Sequence, residues 1–141
     1  MPAIYDGLVF RTRLEAQWAA FFDLADWSWW ANPAPVNNWQ PDFKVSFKCG
    51  HSECSGKHTL FLSVLPLSSL ESFRDHPCMT HSYGVRDEHG QWFADGGAAF
   101  GNSPEVTSWE ISHGAGGGIE NVEFRVDNAN SIWKRASELI E

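Results

Sequence analysis

The run Thr59-Leu-Phe-Leu-Ser-Val-Leu65, nearly all apolar and closed by Pro66, constrains the fold more than any other segment of this chain. It has the length of a strand rather than a helix, and a strand with no polar face must be covered on both sides. Cover is available upstream. Leu14, Trp18, Phe21, Phe22 and Ala25 fall at i, i+4, i+7, i+8 and i+11, which predicts an amphipathic helix within Phe10 to Trp27. The following Trp27 to Pro35 carries two prolines and should be extended or turned, so the helix is expected to stop near Asp26. Phe43, Val45 and Phe47 alternate with polar residues and predict a strand over Asp42 to Lys48. Cys49 to His58 then reads as a polar loop.

Beyond Pro66 the signals shorten. A short helix is expected over Leu67 to Phe73, and short strands around Ser82 to Arg86, Gln91 to Ala94 and Thr107 to Ser112. His113 to Ile119, rich in glycine, reads as a flexible loop. Ile132, Trp133, Ala136, Leu139 and Ile140 predict a terminal helix over Asn130 to Ile140, with Asn128 or Asn130 as N-cap. Helices and strands so interleaved make an α/β chain, and 141 residues suit a single domain over 1–141.

Charge and cysteine content narrow the function. A net charge of −8 counts against DNA, whose phosphates call for a basic footprint. Arg11, Arg13, Lys44, Lys48 and Lys57 cluster in the first 57 residues and leave room for a local basic face. Three cysteines cannot all pair within one chain, so reduced thiols or metal ligands are expected rather than a disulfide framework. The N-terminus lacks a basic leader, and no apolar run approaches the roughly eighteen residues of a membrane span, so a cytoplasmic location with no membrane contact is expected.

Tyr5-x-Gly7-x-x-Phe10-Arg11-x-Arg13-Leu14-Glu15-Ala16-x-Trp18-Ala19-x-Phe21-Phe22, followed by Trp39-x-Pro41-Asp42-Phe43, resembles the front half of short phage and prophage proteins of the PD-(D/E)XK nuclease superfamily. The resemblance covers about the first 70 residues well and the rest loosely. It implies a restriction-endonuclease-like core, a central mixed sheet flanked by helices. In that family a helix Glu, the Pro-Asp aspartate and a Glu-x-Lys on the next strand hold Mg²⁺ beside the scissile phosphate and position the attacking water. Carried over by position, Glu15 and Asp42 match, whereas Ser63 stands for the Glu and Leu65 for the Lys. Lys44 and Lys48 on the neighbouring strand are the candidates for a migrated lysine. Without the resemblance, Glu15 is a solvated helix residue paired with Arg11 at i−4, and Asp42 a strand-entry residue.

A second constellation, Cys49-Gly-His51-Ser-Glu-Cys54-Ser-Gly-Lys-His58, brings two Cys and two His into ten residues, a donor set suited to a structural zinc ion, though not in a standard finger spacing. Gly114 to Gly118 lacks the Lys-Ser/Thr of a P-loop. Trp27, Trp29 and Trp30 serve either to pack the helix end on the sheet or to grip a partner. Two functions follow. One is a catalytically degenerate nuclease-fold protein of phage or mobile-element origin that binds a protein partner and inhibits a host defence or nucleic-acid enzyme. The alternative is a Mg-dependent DNA nuclease with a rearranged site.

Overall fold

The computed structural model describes the chain apart from residues 1, 38, 50–55, 82–83, 87–88, 114–115 and 141, and for 113 and 116 the backbone alone. The apolar run forms β5 (Lys57–Val64) near the middle of a six-stranded sheet. On one side of it lie β4 (Phe43–Lys48) and then β3 (Ser28–Ala31). On the other lie β8 (Gly96–Phe100), β9 (Thr107–His113) and β10 (Gly116–Glu120). Only the β5–β8 pair is parallel, so the sheet is mixed. The chain is an α/β protein with a central mixed sheet flanked by helices. No helix among the described residues is long and apolar enough to cross a membrane.

One face of β5 points Leu60, Leu62 and Val64 toward α1 (Arg13–Leu24) and α3 (Ala129–Glu138). Trp18 is fully buried there, 4.7 Å from Phe100 and 4.3 Å from Trp133, and its indole N–H donates to the Gly101 carbonyl at 2.9 Å. Phe61, on the opposite face, meets Val36, Trp39, Phe73, Cys78 and Val85. That second layer is built from two 3₁₀ turns, Leu70–Phe73 and Pro77–Thr80, and the small β6 (Val85–Arg86) and β7 (Trp92–Ala94) pair. Gly97 admits the second turn, because a Cβ there would stand 2.3 Å from the Cys78 carbonyl oxygen.

Several expectations are refined. α1 is shorter than Phe10 to Trp27: Thr12 caps it, its hydroxyl accepting from Glu15 N at 3.1 Å. Its other end is a Schellman motif, with Asp26 left-handed (φ 64°), Asp26 N donating to Asp23 O, and Trp27 N to Phe22 O at 2.8 Å. The local backbone thus stops the helix, well before the prolines. The expected helix over Leu67 to Phe73 is the single 3₁₀ turn from Leu70. The expected strand over Ser82 to Arg86 is described only as β6, since 82–83 lie outside the described residues. Of the expected loop from His113 to Ile119, His113 ends β9 and the residues from Gly116 on belong to the edge strand β10, and β8 was not anticipated. Glycine and alanine leave too few side chains for an alternating pattern to be visible in either.

Ahead of α1 stands a hairpin that the sequence reading passed over, β1 (Ala3–Tyr5) and β2 (Leu8–Phe10), joined by Asp6 and Gly7 with φ of 53° and 77°. An Asp-Gly pair between two three-residue apolar runs is a two-residue hairpin signal, since both turn positions need positive φ. It packs beside α1 and β3, with Phe10 6.0 Å from both Trp29 and Phe43. A short helix α2 (Val122–Arg125), also unanticipated, precedes α3.

Candidate functional site

Glu15 and Asp42 are brought together. Glu15 lies in the first turn of α1, and Asp42 immediately precedes β4. Their side chains are 10% and 14% exposed, so neither is the solvated surface group that a lone carboxylate usually is. Arg11, at the end of β2, spans them: one terminal nitrogen donates to Glu15 Oε2 at 3.0 Å and also to Asp42 Oδ1. The hydrogen bond to Glu15, with the charges of both carboxylates, raises the Arg11 pKa against the opposing pull of burial. The other oxygens are also occupied. Asp42 Oδ2 accepts from Val64 N at 2.7 Å, and Glu15 Oε1 faces the Thr12 hydroxyl at 3.4 Å. A cavity of about 170 Å³ opens beside the cluster, lined by Leu8, Ala31 and Asn32 among others.

Ser63 follows Leu62, which pairs with Phe43 at the end of the β4–β5 register, and Asp42 N donates to that same Leu62 O at 2.8 Å, one step out of register. It is 3% exposed, and its hydroxyl accepts from Trp39 Nε1 at 2.8 Å. Leu65 lies just past β5 and packs into the second core layer. Lys44 holds its ammonium 5.0 Å above the Trp30 ring, a cation–π contact on the edge strand. Lys48 ends β4 six residues from Asp42, about 20 Å along a strand. The donor set does not fit a divalent cation of the nuclease kind. Two carboxylates already share a guanidinium, and the positions that would complete and activate the site hold a hydroxyl and an isobutyl group.

His76 and Cys78, which with His81 offer a further source of zinc ligands in the stretch His76-Pro-Cys78-Met-Thr-His81, both feel the charge of Asp42. They form no catalytic pair. His76 Nδ1 accepts from Cys78 N at 3.1 Å, capping the 3₁₀ turn, and lies 3.0 Å from Cys78 Sγ. Burial pushes the fully buried Cys78 thiol up to about 12, with Asp42 adding to the rise, so it is a neutral thiol at pH 7. Burial also lowers the His76 pKa, against the pull of Asp42. No short spacing links 76 and 78 to 42; only the fold does.

Of the expected zinc ligands, His51 and Cys54 lie outside the described residues. Cys49 and His58 are both buried, and the Cys49 N to Gly56 O bond of 3.0 Å closes the segment between β4 and β5. His58 Nδ1 stands 3.5 Å from Asp95 Oδ2. Among the described residues no group of three or more His, Cys, Asp or Glu is placed to hold a metal ion. Of the tryptophan cluster, Trp27 is buried, stacked 4.5 Å from Phe47, whereas Trp30 is half-exposed on β3. No family model matches the chain, nor does any curated protein or solved structure.

Proposed function

We propose that the chain is a catalytically degenerate nuclease-fold protein of phage or mobile-element origin. In this reading it works in the cytoplasm by binding a protein partner, inhibiting a host defence or nucleic-acid enzyme. One observation carries it: Arg11 bridges Glu15 and Asp42, so an internal cation sits on the two carboxylates that a nuclease would offer to Mg²⁺. A guanidinium neutralises them at no metal-binding cost and cannot polarise a water as a divalent ion does. The enclosed Ser63 and Leu65 and the charge of −8 support the same direction, since neither favours a phosphate backbone.

The deciding experiment is cleavage of single- and double-stranded DNA in Mg²⁺ or Mn²⁺, with Asp42→Ala as control. No metal-dependent cutting is expected from either protein. Metal-dependent cutting that Asp42→Ala abolishes would establish the rearranged nuclease instead.

The zinc reading is part of the proposal, with Cys49, His51, Cys54 and His58 as ligands in a structural role. Elemental analysis is expected to return about one zinc per chain, and Cys49→Ser and Cys54→Ser to lose it with stability. A metal-free protein whose two variants are as stable as the parent removes the zinc.

A further inference from the structure

We propose that the outer edge of β3, with the trough beside it, docks an extended basic segment of a second protein, which adds to the sheet as a further strand. The inference rests on the partner-binding reading above and specifies its surface and the partner's chemistry. β3 ends the sheet. Asn32 N donates to Asp42 O at 2.9 Å, and the register pairs Trp30 with Lys44 and Ser28 with Ser46. By antiparallel alternation, residues 28, 30 and 32 turn their backbone groups inward to β4, and Trp29 and Ala31 turn theirs outward. Among the described residues no strand pairs with that edge. Natural sheets usually blunt or cover such an edge.

Next to it runs a trough of about 640 Å³ between β3 and the β1–β2 hairpin, lined by Asp6, Leu8, Asp23, Trp29, Trp30 and Ala31. Leu8 and Ala31 also line the 170 Å³ cavity, whose wall includes Arg11, Glu15 and Asp42. Its wall is set in advance. The Tyr5 hydroxyl donates to Asp23 Oδ2 at 2.5 Å and Trp29 Nε1 to Asp23 Oδ1 at 2.9 Å, which ties hairpin, helix and strand together. Leu8, Val9 and Trp30 are 47%, 72% and 49% exposed, so apolar contact surface flanks the open backbone. Backbone pairing along an edge combined with side-chain contacts beside it is how an added strand is recognised.

Charge selects the occupant. The two neighbouring cavities are lined by the carboxylates of Asp6, Asp23, Glu15 and Asp42 and by the guanidinium of Arg11, and with the Lys44 ammonium over the Trp30 ring counted as well the carboxylates remain in excess. Lysine or arginine side chains complement that excess. A nucleic acid does not, and neither does a second copy of a chain carrying −8. The opposite edge, β10, offers Gly116 to Gly118 and little side-chain relief for a partner strand to read.

The test uses the full chain and synthetic peptides of about ten residues, alternating Lys with Val or Glu with Val, followed by tryptophan fluorescence and calorimetry at low salt. The Lys peptide is expected to bind in the micromolar range and the Glu peptide at least about tenfold more weakly. Ala31→Pro removes an outward N–H that β4 does not use, so it should leave the protein folded and weaken the Lys peptide about tenfold. Asp6→Asn, which keeps a residue tolerant of the left-handed turn, should weaken it about threefold and flatten its salt dependence. Equal binding of both peptides, or full binding by folded Ala31→Pro and by Asp6→Asn, overturns the proposal. So does a native dimer that Ala31→Pro dissociates, which would make the occupant a second copy. If no peptide binds and DNA is still not cut, this edge is not the docking site while the partner-binding reading stands. Cutting that Asp42→Ala abolishes removes that reading whatever the peptides do.

Discussion

Arg11 shows how one side chain can convert a pair of carboxylates from a liability into a structural joint. Glu15 and Asp42 repel each other, and Arg11, 63% exposed itself, offsets that repulsion from the solvent side. Arg11→Ala is therefore expected to cost about 1 kcal/mol, the exposure of the guanidinium holding the value down, as a shift in urea midpoint at neutral pH. The same variant should not acquire metal-dependent cleavage, because Ser63 and Leu65 still supply neither ligand nor base. The sequence pointed to Glu15 and Asp42 through their order and to Arg11 through its i−4 spacing from Glu15. The bond from Arg11 to Asp42 was hidden, since it joins residues 31 apart and depends on the β1–β2 hairpin. The histidines give a separate expectation. Burial lowers the pKa of His76 and His81 below the ordinary 6.5, so as pH falls the unfolded chain takes up these protons first. Stability should accordingly drop as pH goes below about 6.5 and level off beneath the lowered folded values. Melting curves of the parent and of a His76→Asn/His81→Phe variant across about pH 8 to 5 check this; equal slopes would remove the histidines as its source. Cys78 works in the other direction, contributing stability that is full below the ordinary 9.0 and lost as pH rises toward about 12. Its thiol should resist alkylation in the native protein and react on unfolding.

At the level of elements, α1 is bounded by two local devices whose contributions can be separated. Thr12→Ala removes the hydroxyl that accepts from Glu15 N and should cost about 1 kcal/mol. Asp26→Gly should do the reverse. Asp26 is exposed, left-handed at φ 64°, and places a negative charge at a helix C-terminus, so glycine relieves both backbone strain and the unfavourable dipole contact. A gain of about 0.5–1 kcal/mol is expected in the same denaturation experiment, and an unchanged midpoint would mean that the aspartate side chain compensates locally. These ends explain which elements could be read in advance. α1 and β4 announce themselves because large apolar side chains repeat at 3.6 or 2 residues, and β5 by an unbroken apolar run of strand length. β8 and β10 do not, because close approach of the second layer and of β9 selects glycine, and glycine has no face to alternate. The Asp6-Gly7 hairpin was legible by its turn chemistry alone, and the Schellman end of α1 was not, since aspartate is an uncommon residue to hold the left-handed position.

For the whole molecule, the balance of charges sets how it responds to salt. With 18 acidic and 10 basic side chains the folded chain repels itself, and compaction increases that repulsion relative to the unfolded state. Among the described residues, arginine–carboxylate contacts at two places oppose it. Arg125 grips the buried Glu120 through two nitrogens, at 2.8 and 2.9 Å, and Arg11 joins Glu15 to Asp42. Salt acts unequally on these terms. The Arg125–Glu120 pair is 12% and 6% exposed and is screened little, whereas the excess negative charge is spread over the surface and is screened within a Debye length of about 8–10 Å. Added NaCl should thus raise the melting temperature, most steeply below about 0.2 M, where the screening length changes fastest. The rise should be larger in Arg11→Ala, which adds one unit of negative charge and leaves two neighbouring carboxylates without their shared cation. If salt instead lowers the melting temperature of the parent, the attractive pairs outweigh the net charge. The trough beside β3 would then be less acidic in effect than its residues imply, and the selection of a basic partner would lose its electrostatic support.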